Sequence, residues 1–247
     1  MKCDYSQYKL SVRERARYLG EALILCITVN YLCYRSWWAF LPMIPVPWLY
    51  LKGKKKKLLA HQKRQLNYAF KDAVNSLSVA LKAGYSMENA VSECIRDLKN
   101  IYPQNTPIVQ EFSYIRSQLK VSVPVETLLR DFGERSQVED IRNFAGVYGI
   151  AKRSGGNLSR ILQNTARTLS DKIEVQKEVE SCIAAKRMEQ SIMAAVPLGI
   201  ILYMQIIDPQ FLEALYRNTA GVCVMTVCLA GYMLAFWMGR RLVQIEV

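Results

Sequence analysis

Histidine is nearly absent from this 247-residue sequence: His61 is the single one. That removes His-rich zinc sites, facial triads and most Ser–His or Cys–His catalysis unless all of it rests on His61. Cysteine is sparse, with seven residues at 3, 26, 33, 94, 182, 223 and 228 and no CxxC pair. A disulfide-stapled scaffold is therefore excluded, and the cysteines read as small hydrophobes. No GxxxxGK[ST] occurs; the segment Gly149–Gly156 has the wrong spacing and a misplaced Lys. A GxSxG elbow is also missing, since Gly84-Tyr-Ser86-Met-Glu88 fails at its last position. Strand signals are absent throughout.

What the chain does have is apolar surface beside positive charge. Half of it is hydrophobic (51%), the mean hydropathy is +0.02, and yet the formal net charge is +12. High charge with low hydrophobicity would mean disorder, and this is not that combination. Residues 60–188 hold 19 Lys+Arg against 14 Asp+Glu, so the excess lies elsewhere. Residues 1–19 carry five basic and two acidic groups, and 52–57 (KGKKKK) carry five basic and none acidic. These clusters flank apolar runs, the pattern of cytoplasmic membrane boundaries rather than of a nucleic-acid face. No nucleic-acid partner is expected.

Four runs are long and nearly uncharged: 22–34 (ALILCITVNYLCY), 36–51 (SWWAFLPMIPVPWLYL), 190–207 (QSIMAAVPLGIILYMQII) and 218–238 (NTAGVCVMTVCLAGYMLAFWM). About 20 apolar residues cross a bilayer core, so the last is a clear span. The third should also span, with a kink at Pro197. One helix through both early runs would be about 50 Å long, too long for one crossing, and Pro42, Pro45 and Pro47 oppose its continuity. Two short tilted spans meeting at Arg35 fit best, with a re-entrant hairpin as the alternative. No small-x-small cleavage site follows the first run, which argues against a signal peptide.

Basic flanks set the orientation. Lys52, Lys54, Lys55, Lys56 and Lys57, the N-terminal bases and Arg240-Arg241 belong inside, and the nearly neutral 208–217 loop outside. Trp37, Trp38, Trp48, Tyr50 and Trp237 sit at interface depth. Ala195–Gly199 and Gly231–Ala235 have the spacing that lets membrane helices approach closely.

Residues 58–188 read as all-helical. Leu66, Phe70, Val74, Leu77 and Leu81 recur at three and four, one helix face. Gly84 is a helix stop, and Ser86 caps a helix to about Ile101. Thr106-Pro107 supplies a capping hydroxyl and Pro at the first position of a helix to about Lys120. Pro124 opens another to about Arg135, and a fifth covers about Val138–Arg153. Gly155 and Gly156 then form a turn, with Asn157 capping the next helix. Leu158, Leu162, Leu169 and Ile173 continue at near-heptad spacing, and no Pro or Gly interrupts 157 to 196. A single helix is expected to run directly into the third span. Glu134, Glu139, Asp140 and Asp171 read as solvated helix faces and first turns rather than a metal or proton site. Glu21 reads as interfacial and His61 as facing water.

The order of these segments resembles a known family. Residues 66–91 (LNYAFKDAVNSLSVALKAGYSMENAV) are similar to the opening helices of the type II secretion system F domain. SVPVETLLRDFGERS, IAKRSGGNLSRILQNTARTL and AAKRMEQSIMAAVP, within 122–197, resemble its remainder. The likeness covers about residues 60–200, and the paired spans fit the TadB/TadC branch of Tad/Flp pilus assembly. The resemblance implies a non-enzymatic inner-membrane platform without cofactor or metal. It implies three protein partners: a cytoplasmic hexameric ATPase, a pilin or pseudopilin, and a second F-domain protomer, because larger relatives carry two F domains and this chain one. Membrane lipids complete the set. The competing classes are a transporter or channel subunit and a membrane-bound enzyme. The former is opposed by few intramembrane charges, the latter by the missing catalytic clusters.

The expected organisation is thus an all-α, multi-pass protein with both termini cytoplasmic. Its parts are a cytoplasmic segment 1–19, a span hairpin 20–51, a helical F domain 52–188, a third span 189–207, an external loop 208–217, a fourth span 218–239 and a tail 240–247.

Overall fold

The structure is a computed structural model, described here over residues 16–21, 23–24, 27–28, 45–153, 158–208 and 219–243. Its helices are α1 (Pro45–Lys82), α2 (Met87–Ile101), α3 (Pro107–Leu119), α4 (Val125–Ser136), α5 (Glu139–Arg153), α6 (Leu158–Ile207) and α7 (Thr219–Val243). Residues 16–21 are also helical, and no strand occurs among the described residues. The chain divides into two compact units, with breaks at Lys54/Lys55 and Val175/Gln176. Both breaks fall inside helices, so α1 and α6 each contribute to both units.

The first unit is a helical bundle. Its core runs from Leu66 to Ile173, and the expected face of α1 is the buried one: Leu66, Phe70, Val74 and Leu77 are all inside. Phe70 is at the centre, edge-on to Phe132 of α4 (6.1 Å) and to Phe144 of α5 (5.3 Å). Edge-to-face packing suits aromatic quadrupoles and adds about 0.5–1.5 kcal/mol per pair beyond burial. Among the described residues of α6, Leu162, Ala166, Leu169 and Ile173 are buried; three of them belong to the near-heptad stripe, whose first member, Leu158, is half-buried.

Local signals explain the helix ends. Gly84 has φ +90°, and its carbonyl-side neighbour Tyr85 donates N–H to the Ala80 carbonyl, a left-handed stop after α1. Ser86 is the N-cap of α2, its hydroxyl accepting from Asn89 N–H. Thr106 differs from expectation. It occupies the N-cap of α3, but its side chain makes no capping hydrogen bond. Pro107 next to it already lacks an N–H, so α3 starts with one fewer donor to satisfy. Between α4 and α5 the connection is two residues, Gln137 and Val138, and Gln137 takes the left-handed conformation (φ 53°, ψ 29°). Lys63 of α1 fixes it, donating Nζ–H to Gln137 Oε1 at 2.8 Å. Gly133 allows the two helices to meet: a Cβ there would lie 3.0 Å from Arg142 Cα.

The second unit contains the apolar half of α6 and α7. Tyr232 of α7 donates its hydroxyl to the Ala194 carbonyl at 2.6 Å, and a Cβ on Gly239 would lie 2.6 Å from Gln190 Nε2. Residue 190 opposite 239 and 194 opposite 232 make the pair antiparallel. Gly239 thus leaves room for the end of the Gln190 side chain. At Gly199 and Gly231, where small-residue spacing suggested it, a Cβ would meet nothing within 4 Å.

Candidate functional site

No three His, Cys, Asp or Glu side chains gather into a group able to hold a metal ion among the described residues. The features with functional content are a polar frame that fixes the bundle, an open groove on its surface and an apolar helix leaving it.

The frame has two nodes. In the first, Arg135 of α4 forks onto Glu111 of α3, Nη1 to Oε1 at 2.9 Å and Nη2 to Oε2 at 2.8 Å, while its Nε donates to Asp131 at 2.9 Å. Glu111 is 1% exposed, so the bidentate pair lies where charge is costly unless matched. The carboxylate fork, chiefly through its hydrogen bonds, raises the guanidinium pKa further above its ordinary value. In the second node, Asp140 of α5 accepts from Asn67 Nδ2 of α1 at 2.7 Å and from Lys172 Nζ of α6 at 2.6 Å. Three helices meet on one carboxylate. Asp140 is therefore not the solvated first-turn acid its position suggested, whereas Glu134, Glu139 and Asp171 are exposed. Nearby, the Asn75 amide and Ser170 hydroxyl pair α1 with α6.

The groove lies between α1 and α2. It has a volume of about 380 Å³ and is lined from α1 by Asp72, Asn75, Ser76 and Val79 and from α2 by Asp97, Leu98, Asn100 and Ile101. Tyr102 donates its hydroxyl to Asp72 at 2.6 Å, and Ser76 donates to Asp97. Burial, then the Asp72 contact, raises the Tyr102 pKa. Beneath the groove, Cys94 is fully buried, its thiol directed at the Ala73 carbonyl and its pKa pushed up to about 12, mainly by burial. Sulfur in that setting is an inert packing group.

Helix α6 is 50 residues long, about 75 Å at 1.5 Å per residue, well beyond the ~30 Å apolar core of a bilayer. Its most apolar 18-residue window has a mean hydropathy of 1.7, and none of that window is buried within the protein. Among the described residues it is the one helix long and apolar enough to cross a membrane; Cys223–Gly239 is a shorter apolar stretch. Pro197 lies inside α6.

The other residues singled out from sequence fall as follows. His61 is exposed, 3.0 Å from Gln65 Nε2. Lys52, Lys54, Lys55, Lys56 and Lys57 all lie on α1, which passes through them unbroken. Lys54 Nζ sits 5.1 Å from the Tyr18 ring centroid. Arg240 and Arg241 belong to the last turn of α7, with the Arg241 guanidinium 5.4 Å from the Trp237 ring centroid. Gly155, Gly156 and Asn157 lie outside the described residues, between the end of α5 and the start of α6. So do Trp37, Trp38 and nearly all of the expected external loop. Missed by sequence reading were Glu111 with Arg135, and Asn67 with Lys172. The only local hint was the Asp131–Arg135 pair, four apart on one helix.

A family model described as type II secretion system (T2SS), protein F, matches residues 73–206. That is a little over half of the chain. The chain belongs to this family. The matched segment of this F-domain protein takes in α2 to α5 whole, the second part of α1 and nearly all of α6. No curated protein matches the chain, and no solved structure does. The family is one of inner-membrane platform proteins of type II secretion and type IV pilus systems, structural rather than enzymatic in kind.

Proposed function

We propose that this F-domain protein is the inner-membrane platform of a Tad/Flp-type pilus or a type II secretion-like machine. It couples a cytoplasmic hexameric ATPase to assembly of a pilin or pseudopilin through protein–protein contacts. The observation that carries the reading is the family match over 73–206, a segment that takes in most of the bundle and the apolar part of α6. A rigid bundle continuing into a membrane helix suits a part that passes on movement rather than performs chemistry. A second protomer, identical or paralogous, completes a two-domain unit.

In this reading the chain crosses the membrane four times with both termini cytoplasmic. The spans are within 20–51, at 189–207 and at 218–239, the F domain is 52–188, and residues 208–217 face outward. Lys52, Lys54–Lys57 and Arg240-Arg241 hold this orientation through the anionic cytoplasmic leaflet, at about 1 kcal/mol per base. Gly84, with Gly155, Gly156 and Asn157, forms the turns of the domain, and Pro197 marks a bend of the third span. Deleting the chain tests the reading. Surface filaments or secretion should be lost while pilin still accumulates in the membrane. Filaments assembled at normal levels without it would refute the platform role.

A further inference from the structure

The α1/α2 groove has a counterpart on the opposite kind of surface of the same bundle. Its eight lining residues include two carboxylates and no base. Lys71 Nζ stands 3.3 Å from Asp72, whose other oxygen takes the Tyr102 hydroxyl. Asp97 accepts the Ser76 hydroxyl on Oδ2, and a carboxylate has acceptor sites beyond that one for a cation. At the groove's two ends Val79 is 70% and Ile101 62% exposed, apolar surface left in water.

Helix α5 presents the complementary face. Arg142, Asn143, Gly146, Ile150 and Arg153 are all exposed, at helical spacings of one, three and four. Ile150 is as open as Ile101, and a Cβ on Gly146 would meet nothing within 4 Å. Arg142 is anchored from behind, where Gly133 lets α4 press against its backbone. The order base, glycine, isoleucine at 142, 146 and 150 runs in steps of four. Acid, small polar and valine on α1, at 72, 76 and 79, run in steps of four and three. Laid parallel, Arg142 reaches the two carboxylates, Gly146 admits close backbone approach beside Ser76, and Ile150 covers Val79. Within one chain α1 and α5 already run in the same direction, since Asn67 meets Asp140 and Phe70 meets Phe144. A copy displaced beside the first can therefore place α5 along the neighbour's α1 in the same direction.

We infer that the α1/α2 groove of one copy receives the exposed α5 face of the next, a head-to-tail contact between F domains of this chain. Such a heterologous contact leaves one groove and one α5 face open in every dimer, so it extends to a ring or chain of copies. The inference gives a surface to the second protomer of the proposed platform and rests on that reading only for its biological use. Charge complementarity of this kind fixes register and partner more than affinity.

The test uses the full chain in native membranes. The background replaces Cys3, Cys26, Cys33, Cys182, Cys223 and Cys228 with Ser and keeps the buried Cys94. Two differently tagged copies are co-expressed, one with Val79→Cys and the other with Ile150→Cys, and mild oxidation should link them. One chain carrying both changes should give a ladder above the dimer. Asp97→Arg or Arg142→Asp added to the pair should each lower the linked fraction at least fivefold, and the two together should restore it. Val79, Arg142 and Ile150 are exposed and Asp97 is half-buried, and unchanged helical circular dichroism of each purified variant verifies folding. No link between the tagged copies overturns the inference, as does Val79→Cys linking to itself equally well. Failure of the charge swap to restore the link overturns it too. Linked copies that carry no ATPase would leave this contact standing and count against the platform reading instead. ATPase-bound chains with no link would do the reverse.

Discussion

Replacing Arg135 with Met should be among the most damaging single changes in the bundle. The substitution keeps most of the side-chain volume and removes the fork from Glu111, whose carboxylate is 1% exposed. Glu111 is then a buried charge without its bidentate partner. Breaking a buried pair from one side costs about 3–5 kcal/mol, whereas an exposed pair costs under about 1 kcal/mol. Arg135 is itself only 19% exposed, so the higher range applies. Loss of the Asp131 contact adds little, because that carboxylate is a third exposed and four residues away on the same helix. Against a usual total of about 5–15 kcal/mol, this is about a fifth or more of the bundle's stability. Segment 55–175 contains every buried core residue from Leu66 to Ile173 and is expected to fold alone. Its urea unfolding, followed by circular dichroism, should lose about 2 M in midpoint for R135M at an m-value of about 1.5–2 kcal/mol/M. Replacing both partners, Glu111→Leu with Arg135→Met, should recover most of the loss, since no charge is then left buried. A midpoint shift under about 0.5 M for R135M, or a double variant no better than the single, would mean that Glu111 does not depend on the Arg135 fork.

Other expectations follow from single contacts. Gly133→Ala should destabilise the segment by about 1–3 kcal/mol, because the new Cβ meets Arg142 Cα at 3.0 Å. Gly146→Ala, with open space around it, should instead stabilise by about 0.5–1 kcal/mol; urea midpoints moving in the same direction for both would contradict this. Asp140→Ala should cost about 1–3 kcal/mol by leaving the Asn67 amide buried without its acceptor, and amide exchange in α1 and α5 should rise together. The bundle should also lose stability at alkaline pH. Cys94 has its pKa raised from 9.0 to about 12, so its contribution is complete below pH 9 and disappears as pH rises through about 12. Tyr148, raised from 10.0 to about 12 by burial, adds to the same window; a stability flat from pH 9 to 12 would count against both. Finally, a cysteine at Asn105, with native exposed thiols removed, should resist membrane-impermeant reagents in intact cells. Labelling there would invert the proposed topology.

Helix boundaries were the most legible part of this sequence, because they depend on neighbours. Gly84 before Ser86, and Pro107 at a first position, act within a few residues of themselves. Periodicity identified the buried faces of α1 and α6, since burial of one stripe is what makes a bundle. Thr106 shows the limit of such signals: the residue type suits a cap, but whether the hydroxyl turns to the backbone is a rotamer choice. The unbroken passage of α1 from Pro45 through the lysines was hidden. A Lys run reads as a boundary of charge, yet lysine is a good helix former and nothing there stops a helix. Glu111 and Asp140 could not be placed from local pattern. Their partners lie 24, 32 and 73 residues away, and only tertiary packing decides that one acid is buried and another solvated. The groove was invisible for the same reason: Asp72 and Asp97 look like ordinary surface charge until α1 and α2 are laid side by side.

The role proposed for this F-domain protein is that of a membrane platform served by an ATPase on a separate chain. Affinity purification of the full chain from mildly solubilised membranes, followed by mass spectrometry and an ATP-hydrolysis assay, tests it most directly. The expected result is a hexameric secretion ATPase among the co-purifying proteins and no hydrolysis from the chain once that ATPase is washed away. A chain that purifies without any such ATPase, or that hydrolyses ATP alone, would contradict it.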